Sequence, residues 1–151
     1  MTIKWSSELE LGIPVIDSQH QRIVEYINHV EHAQKHHDAS EVLDVLDELV
    51  DYTLSHFAFE ETLMEEAGYP FSTPHKKVHR LFARRVGSFQ QRARAGEDIT
   101  IELLHVLKAW LVNHIKCDDR DYANAVRATM NDAAHRAKAQ TKAGWFNRLF
   151  G

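Results

Sequence analysis

With 151 residues, 44% of them apolar and 26% charged, the chain has the length and composition of one ordinary globular domain, which argues against disorder. A net charge of −4 gives no reason to expect nucleic acid as a partner, and no run of about 18 apolar residues offers a transmembrane helix. The polar start from Met1 to Gly12 lacks the pattern of a signal peptide, and the single cysteine, Cys117, excludes an intrachain disulfide; both fit the cytoplasm.

Residues 1–16 combine Trp5, Leu9, Leu11, Ile13, Val15 and Ile16 with the punctuation of Gly12 and Pro14. That pattern suits an extended arm packed on the outside of a core. Asp17-Ser18 offers an N-cap for a first helix running to about His37, with an inner face of His20, Ile23 or Val24, Ile27 and Val30. Ser40 is the expected cap of the second helix, which continues to about Met64 before Gly68 and Tyr69-Pro70 turn the chain. Along it Val42, Leu46, Leu49, Thr53, His56, Glu60 and Leu63 recur at helical steps, so an imidazole and a carboxylate point into an apolar interior. A buried carboxylate is costly unless it is paired or binds a metal.

Ser72 or Thr73 is expected to cap the third helix, with Pro74 near its first position and Gly96 closing it. Its inner face reads His75, Val78, His79, Phe82, Val86 and Phe89. The fourth starts near Ile99-Thr100 and presents Leu104, Leu107, Leu111 and His114. No segment alternates with a period of two. Four amphipathic helices with short connections predict an all-α, up-down-up-down antiparallel four-helix bundle, here with an N-terminal arm and a C-terminal helical extension. We place the bundle at residues 1–133 and a basic, aromatic tail at 134–151. In that tail Trp145, Phe146, Leu149 and Phe150 could dock on a membrane or a protein, or fold back on the bundle.

Histidine is the anomaly of the composition, with eleven residues, several in regular spacing. His56/Glu60 and His75/His79 are four apart, a spacing that puts both side chains on one metal centre. His114 and Asp119 are five apart, which in an unbroken α-helix separates them by about 140°. To meet, they need a local break or tightened turn near Cys117-Asp118. His20 adds one contribution from the first helix. Five imidazoles and two carboxylates on inward faces exceed the roughly four ligands of one zinc and suit two transition ions with both carboxylates bridging. Imidazole and carboxylate without thiolate favour iron, though manganese and zinc fit the same donors.

The set His20, His56-x-x-x-Glu60, His75-x-x-x-His79 and His114-x-x-x-x-Asp119 closely resembles the hemerythrins, and among them the single-domain bacteriohemerythrins. The resemblance runs from Trp5 to about Tyr122 and includes Gly12-Ile13, Ile16-Asp17-x-x-His20, His56-Phe57-x-x-Glu60-Glu61 and His114-Ile115-x-x-x-Asp119. Myohemerythrin is itself a standard four-helix bundle, so the topology is not independent of the resemblance. The resemblance implies one iron held by His75, His79 and His114 and another by His20 and His56. Glu60, Asp119 and an oxo or hydroxo group would bridge them. The iron with two histidines would keep an open position for dioxygen. Ile23, Phe57, Trp110 and Leu111 are candidates for the apolar pocket wall, or plain bundle core; Tyr122 is a candidate support for the Asp119 bridge.

Other features carry less. His29, His32 and His36 form a row better read as a solvated face. Glu102-x-x-His105 is one copy of a motif that ferritin-like diiron oxidases need twice. Cys117 reads as a packing residue. The expected function is reversible dioxygen binding at a non-haem diiron centre, for storage, delivery or buffering, in a cytoplasmic monomer that is not an enzyme. The alternatives are an oxygen or redox sensor signalling through the tail, or a diiron enzyme acting on peroxide, nitric oxide or iron.

Overall fold

The structure, a computed structural model, describes residues 2–132 and 137. The tail carrying Trp145, Phe146, Leu149 and Phe150, and with it the boundary at residue 134, lies outside the described residues. The bundle consists of α1 (Pro14–Lys35), α2 (Ala39–Glu66), α3 (Ser72–Arg94) and α4 (Thr100–Asn113), with no strand among the described residues. The helix of α4 continues through a π-helical turn, His114–Asp119, into residues 120–132. No described helix is long and apolar enough to cross a membrane.

Periodicity explains the packing. Ile16, Ile27 and Val30 in α1, Leu46 and Leu49 in α2, Val86 and Phe89 in α3, and Leu103, Leu107 and Leu111 in α4 fall at helical steps and are almost fully buried, so each helix turns one apolar stripe inward. α1 packs against α2 and α4, and α2 against α3; the α3–α4 side is the most open. The arm is tied down at both ends. Asn28 holds Ile3 through paired bonds, Nδ2 donating to the carbonyl at 2.9 Å and Oδ1 accepting from the N–H at 3.0 Å. Arg127 donates to the Leu11 carbonyl at 2.8 Å, and Arg120 to that of Glu8 at 2.9 Å. Between these ties Leu9, Leu11 and Ile13 are buried.

The helix starts differ from the sequence expectation at three places. α1 begins at Pro14, three residues before the expected cap. Asp17 instead sits in the first turn, and its carboxylate accepts the N–H groups of Leu11 (2.8 Å) and Gly12 (3.1 Å), outside the helix. This fastens the arm where Gly12 takes φ +77°, a conformation that favours glycine. α2 is capped by Asp38, not Ser40: Asp38 Oδ1 accepts the Glu41 N–H at 2.9 Å. At α3 neither Ser72 nor Thr73 caps; both lie at its start, and Phe71 occupies the N-cap position. Replacing Asp38 by alanine removes the only side-chain cap found on the four helices. The expected loss is about 1 kcal/mol, or roughly 2–4 °C in a thermal melt.

The π turn settles how His114 and Asp119 meet. The helix neither ends nor tightens; it widens, so that hydrogen bonds run from i to i+5 and residues five apart return to the same side. Cys117 lies on the outer face of this turn and is exposed, so it is not a packing residue.

Candidate metal centre

The bundle brings His20, His56, Glu60, His75, His79, His114 and Asp119 together in its interior, all of them buried. α1 contributes one donor, α2 two, α3 two and the π turn two. The Nε2 atoms face inward and the two carboxylates lie between them. Glu60 Oε1 is 2.5 Å from His56 Nε2 and 3.3 Å from His20 Nε2. Its other oxygen, Oε2, is 3.4 Å from His79 Nε2 and 3.6 Å from His75 Nε2. Asp119 divides in the same way. Oδ2 faces His20 Nε2 at 3.1 Å, while Oδ1 faces His75 at 3.1 Å and His114 at 3.0 Å.

Each carboxylate therefore turns one oxygen to each of two donor sets. One set is His75, His79 and His114 with both carboxylates; the other is His20 and His56 with both carboxylates. The first set has one imidazole more. Both oxygens of Glu60, both of Asp119, and the Nε2 atoms of His20, His56 and His75 are buried without a hydrogen-bond partner among the described residues. Buried polar atoms are almost always satisfied. Convergent, unsatisfied nitrogen and carboxylate donors fit a pair of cations, which would take up all of them at once.

Electrostatics agrees. Burial alone would push His20, His75 and His114 down, but Asp119 and Glu60, joined at His114 by Asp118, outweigh it and raise them to about 9, 9 and 10 respectively. Burial would likewise raise Glu60, yet the facing His56 and His20 hold it well below the usual carboxylate range. Asp119 is depressed as well, against burial and the charge of Glu60, mainly by His114. The site is strongly anionic at its centre and holds positive charge around it.

A second ring of residues orients the imidazoles. His56 Nδ1 meets Gln19 Oε1 at 2.5 Å, His79 Nδ1 meets Glu61 Oε1 at 3.0 Å, and His114 Nδ1 meets Asp118 Oδ2 at 3.0 Å. An acceptor on Nδ1 fixes the proton there and leaves the Nε2 lone pair pointing inward. Gln19 and Asp118 were not among the site residues expected from the sequence. The signal for Asp118 was its spacing of four from His114; Gln19 had only its place beside His20.

Tyr122 is fully buried with its ring against His75 (5.3 Å between centroids), and its hydroxyl has no partner among the described residues. Burial, then the charges of Glu60 and Asp119, push its pKa up, so it stays a protonated donor. Phe57 stacks on His79 at 3.8 Å and Trp110 on His114 at 4.4 Å, both on the three-histidine side. Ile23, Trp110 and Leu111 share a small apolar cavity of about 10 Å³ with Thr53 and Leu107. Glu102 and His105 lie on the exposed face of α4, where Glu102 pairs with Arg92 at 2.9 Å. His32 and His36 face solvent, their Nε2 atoms 3.1 Å apart.

Comparison with known proteins matches this geometry. Residues 11–126 match the family model described as the hemerythrin HHE cation-binding domain. A bacteriohemerythrin of Pseudomonas aeruginosa (strain LESB58) is 52% identical over 144 residues, covering 95% of this chain and 92% of the relative. One of Stenotrophomonas maltophilia (strain R551-3) is 50% identical over the same shares. The crystal structure of a wild-type hemerythrin superposes with a TM-score of 0.79 at 28% identity, covering 83% of this chain and 98% of the other. The chain belongs to the hemerythrin family.

Proposed function

We propose that the chain binds dioxygen reversibly at a non-haem diiron centre, for storage, delivery or buffering. The observation that carries this reading is the unequal division of donors: two carboxylates shared by both sets, with three imidazoles on one side and two on the other. Family membership makes the chain a binding protein and not an enzyme. Imidazole and carboxylate donors without thiolate favour iron. An iron pair bound there would supply an open coordination position, on the two-histidine side, and the electrons for reversible dioxygen binding.

The chain's own residues do the rest. His75, His79 and His114 would hold one ion, His20 and His56 the other, and Glu60 and Asp119 would bridge them. Gln19, Glu61 and Asp118 keep the Nδ1 protons outward. Ile23, Phe57, Trp110 and Leu111 would form the apolar wall of the metal pair, Phe57 and Trp110 against the three-histidine side, and keep water and stray protons from the site. Tyr122, buried with its ring against His75, would support the Asp119 bridge, and its raised pKa keeps the hydroxyl protonated.

The test is optical. Iron-loaded protein reduced without air is expected to be colourless, to gain a visible charge-transfer band when air is admitted, and to lose it under vacuum. A ferric form that returns only with added reductant would refute reversible binding and favour the sensor or enzyme alternatives.

A further inference from the structure

The net charge of −4 conceals an asymmetry. From Ser72 to Arg94, α3 carries seven lysines and arginines and no acidic residue. Three are neutralised: Lys76 by Glu65, Arg92 by Glu97 and Glu102, and Arg94 by Asp47. Lys77, Arg80, Arg84 and Arg85 are exposed and form no ion pair among the described residues. The first three follow one another at steps of three and four, a single ridge along the helix.

Where α3 and α4 pack least closely lies a groove of about 410 Å³, lined by Arg85 and by Val78 and Leu81, the chain neighbours of Lys77 and Arg80. Its lining includes Val78, Leu81, Ala109 and Trp110, with Arg85 and His105 at its walls and no carboxylate. Leu81 is 56% exposed beside it. Trp110 connects the groove to the metal centre: its ring is sandwiched between Phe82 at 3.6 Å and His114 at 4.4 Å, both nearly parallel to it. His114 is one of the inward donors.

We propose that this groove docks an acidic one-electron carrier protein, which reduces the metal pair by way of Trp110. The inference rests on the diiron reading, since oxygen binding requires the ferrous state and any oxidised protein must be returned to it. Two reduced carriers each give up one electron, each electron converts one ferric ion to ferrous, and no covalent bond of the protein forms or breaks. Charge complementarity selects an acidic occupant. The chain's own tail is a poor match, because Arg136, Lys138, Lys142 and Arg148 make it basic too. A concave, apolar-floored groove also suits a protruding protein surface better than a flat bilayer.

The probe is a plant-type [2Fe–2S] ferredoxin, used with full-length, iron-loaded protein. Calorimetric titration at low salt should show binding that weakens as salt is added. Arg80→Glu/Arg84→Glu should weaken it roughly ten-fold or more, whereas Lys4→Glu/Lys35→Glu, with the same change in net charge, should shift it less than about three-fold. Anaerobic reduction by the carrier should slow in parallel, while reduction by dithionite stays unchanged. With the carrier at saturating concentration, Trp110→Leu should lower the ratio of carrier-driven to dithionite-driven reduction.

Absence of salt-sensitive binding, equal loss in the two double variants, or binding without electron transfer would each overturn the proposal. So would capture of phosphatidylserine vesicles through Arg80 and Arg84 with no binding of the carrier. Dithionite-reduced protein that oxygenates reversibly while the carrier fails would sink this inference alone. Failure to oxygenate after dithionite would sink the oxygen-binding reading, whatever the carrier does.

Discussion

Glu60→Gln is expected to abolish the paired metal centre while leaving the bundle folded. Iron per chain should fall from two to one or none, and the visible band on admitting air should vanish. Glu60 gives one oxygen to each donor set, Oε1 toward His20 and His56 and Oε2 toward His75 and His79. An amide has nearly the same shape but one oxygen instead of two, and its NH₂ group would face imidazole nitrogens or a cation. It also removes one of the two fully buried carboxylate charges that would offset a pair of cations. Loss of a residue that merely orients a ligand costs about 10–100-fold in metal affinity. Loss of a donor shared by both ions should exceed that range. Glu61→Gln, which touches only His79 Nδ1, provides the scale: its loss should stay within it. Helicity measured by circular dichroism should be unchanged in both, because a neutral amide is cheaper to bury than a carboxylate. Two irons and an intact band in Glu60→Gln would refute the bridging role.

Stripping the metal is expected to lower thermal stability by on the order of 10 °C. A ligand present at about a thousand times its dissociation constant stabilises the folded state by roughly 4 kcal/mol, and each kcal/mol is worth about 2–4 °C at this size. The stripped protein must still bury the carboxylates of Glu60 and Asp119, and it does so by protonating imidazoles around them. His20 and His75 are raised to about 9 and His114 to about 10, from about 6.5 when unfolded. A raised folded pKa means stability that is complete below the unfolded value and disappears as pH rises through the folded one. The stripped protein should therefore lose stability between about pH 6.5 and pH 10, read as a falling urea midpoint. The loaded protein should not, because cations take the place of those protons. Equal pH profiles for the two forms would show that the cations do not occupy this cluster.

Much of this molecule was legible from residue order. Helical periodicity is a local property, so the four amphipathic stripes, the absence of strands among the described residues and the inward direction of His20, His56, Glu60, His75, His79 and His114 could be read directly. Helix stops were legible too, since Gly68 and Gly96 take positive φ where the sequence analysis ended α2 and α3. The helix starts were not. Asp17, Asp38, Ser40, Ser72 and Thr73 all carry side chains able to cap, and which one does depends on where the preceding chain is held. At α1 the Asp17 carboxylate was claimed by the arm, whose position Asn28, Arg120 and Arg127 fix from distant parts of the chain.

The meeting of His114 with Asp119 marks the division most clearly. Their spacing alone required a departure from α-helical geometry; a tightened turn, at about 120° per residue, would still leave residues five apart on different sides, whereas the π turn widens the helix and returns them to one. The division of the donors belongs to tertiary structure as well. Which oxygen of Glu60 or Asp119 faces which imidazole, and that one set has three imidazoles and the other two, depends on the relative placement of four helices. The same holds for the open α3–α4 groove, for Trp110 lying between Phe82 and His114, and for the exposure of Cys117. Periodicity specifies which way a side chain points from its own helix; only the packing of helices specifies what it meets.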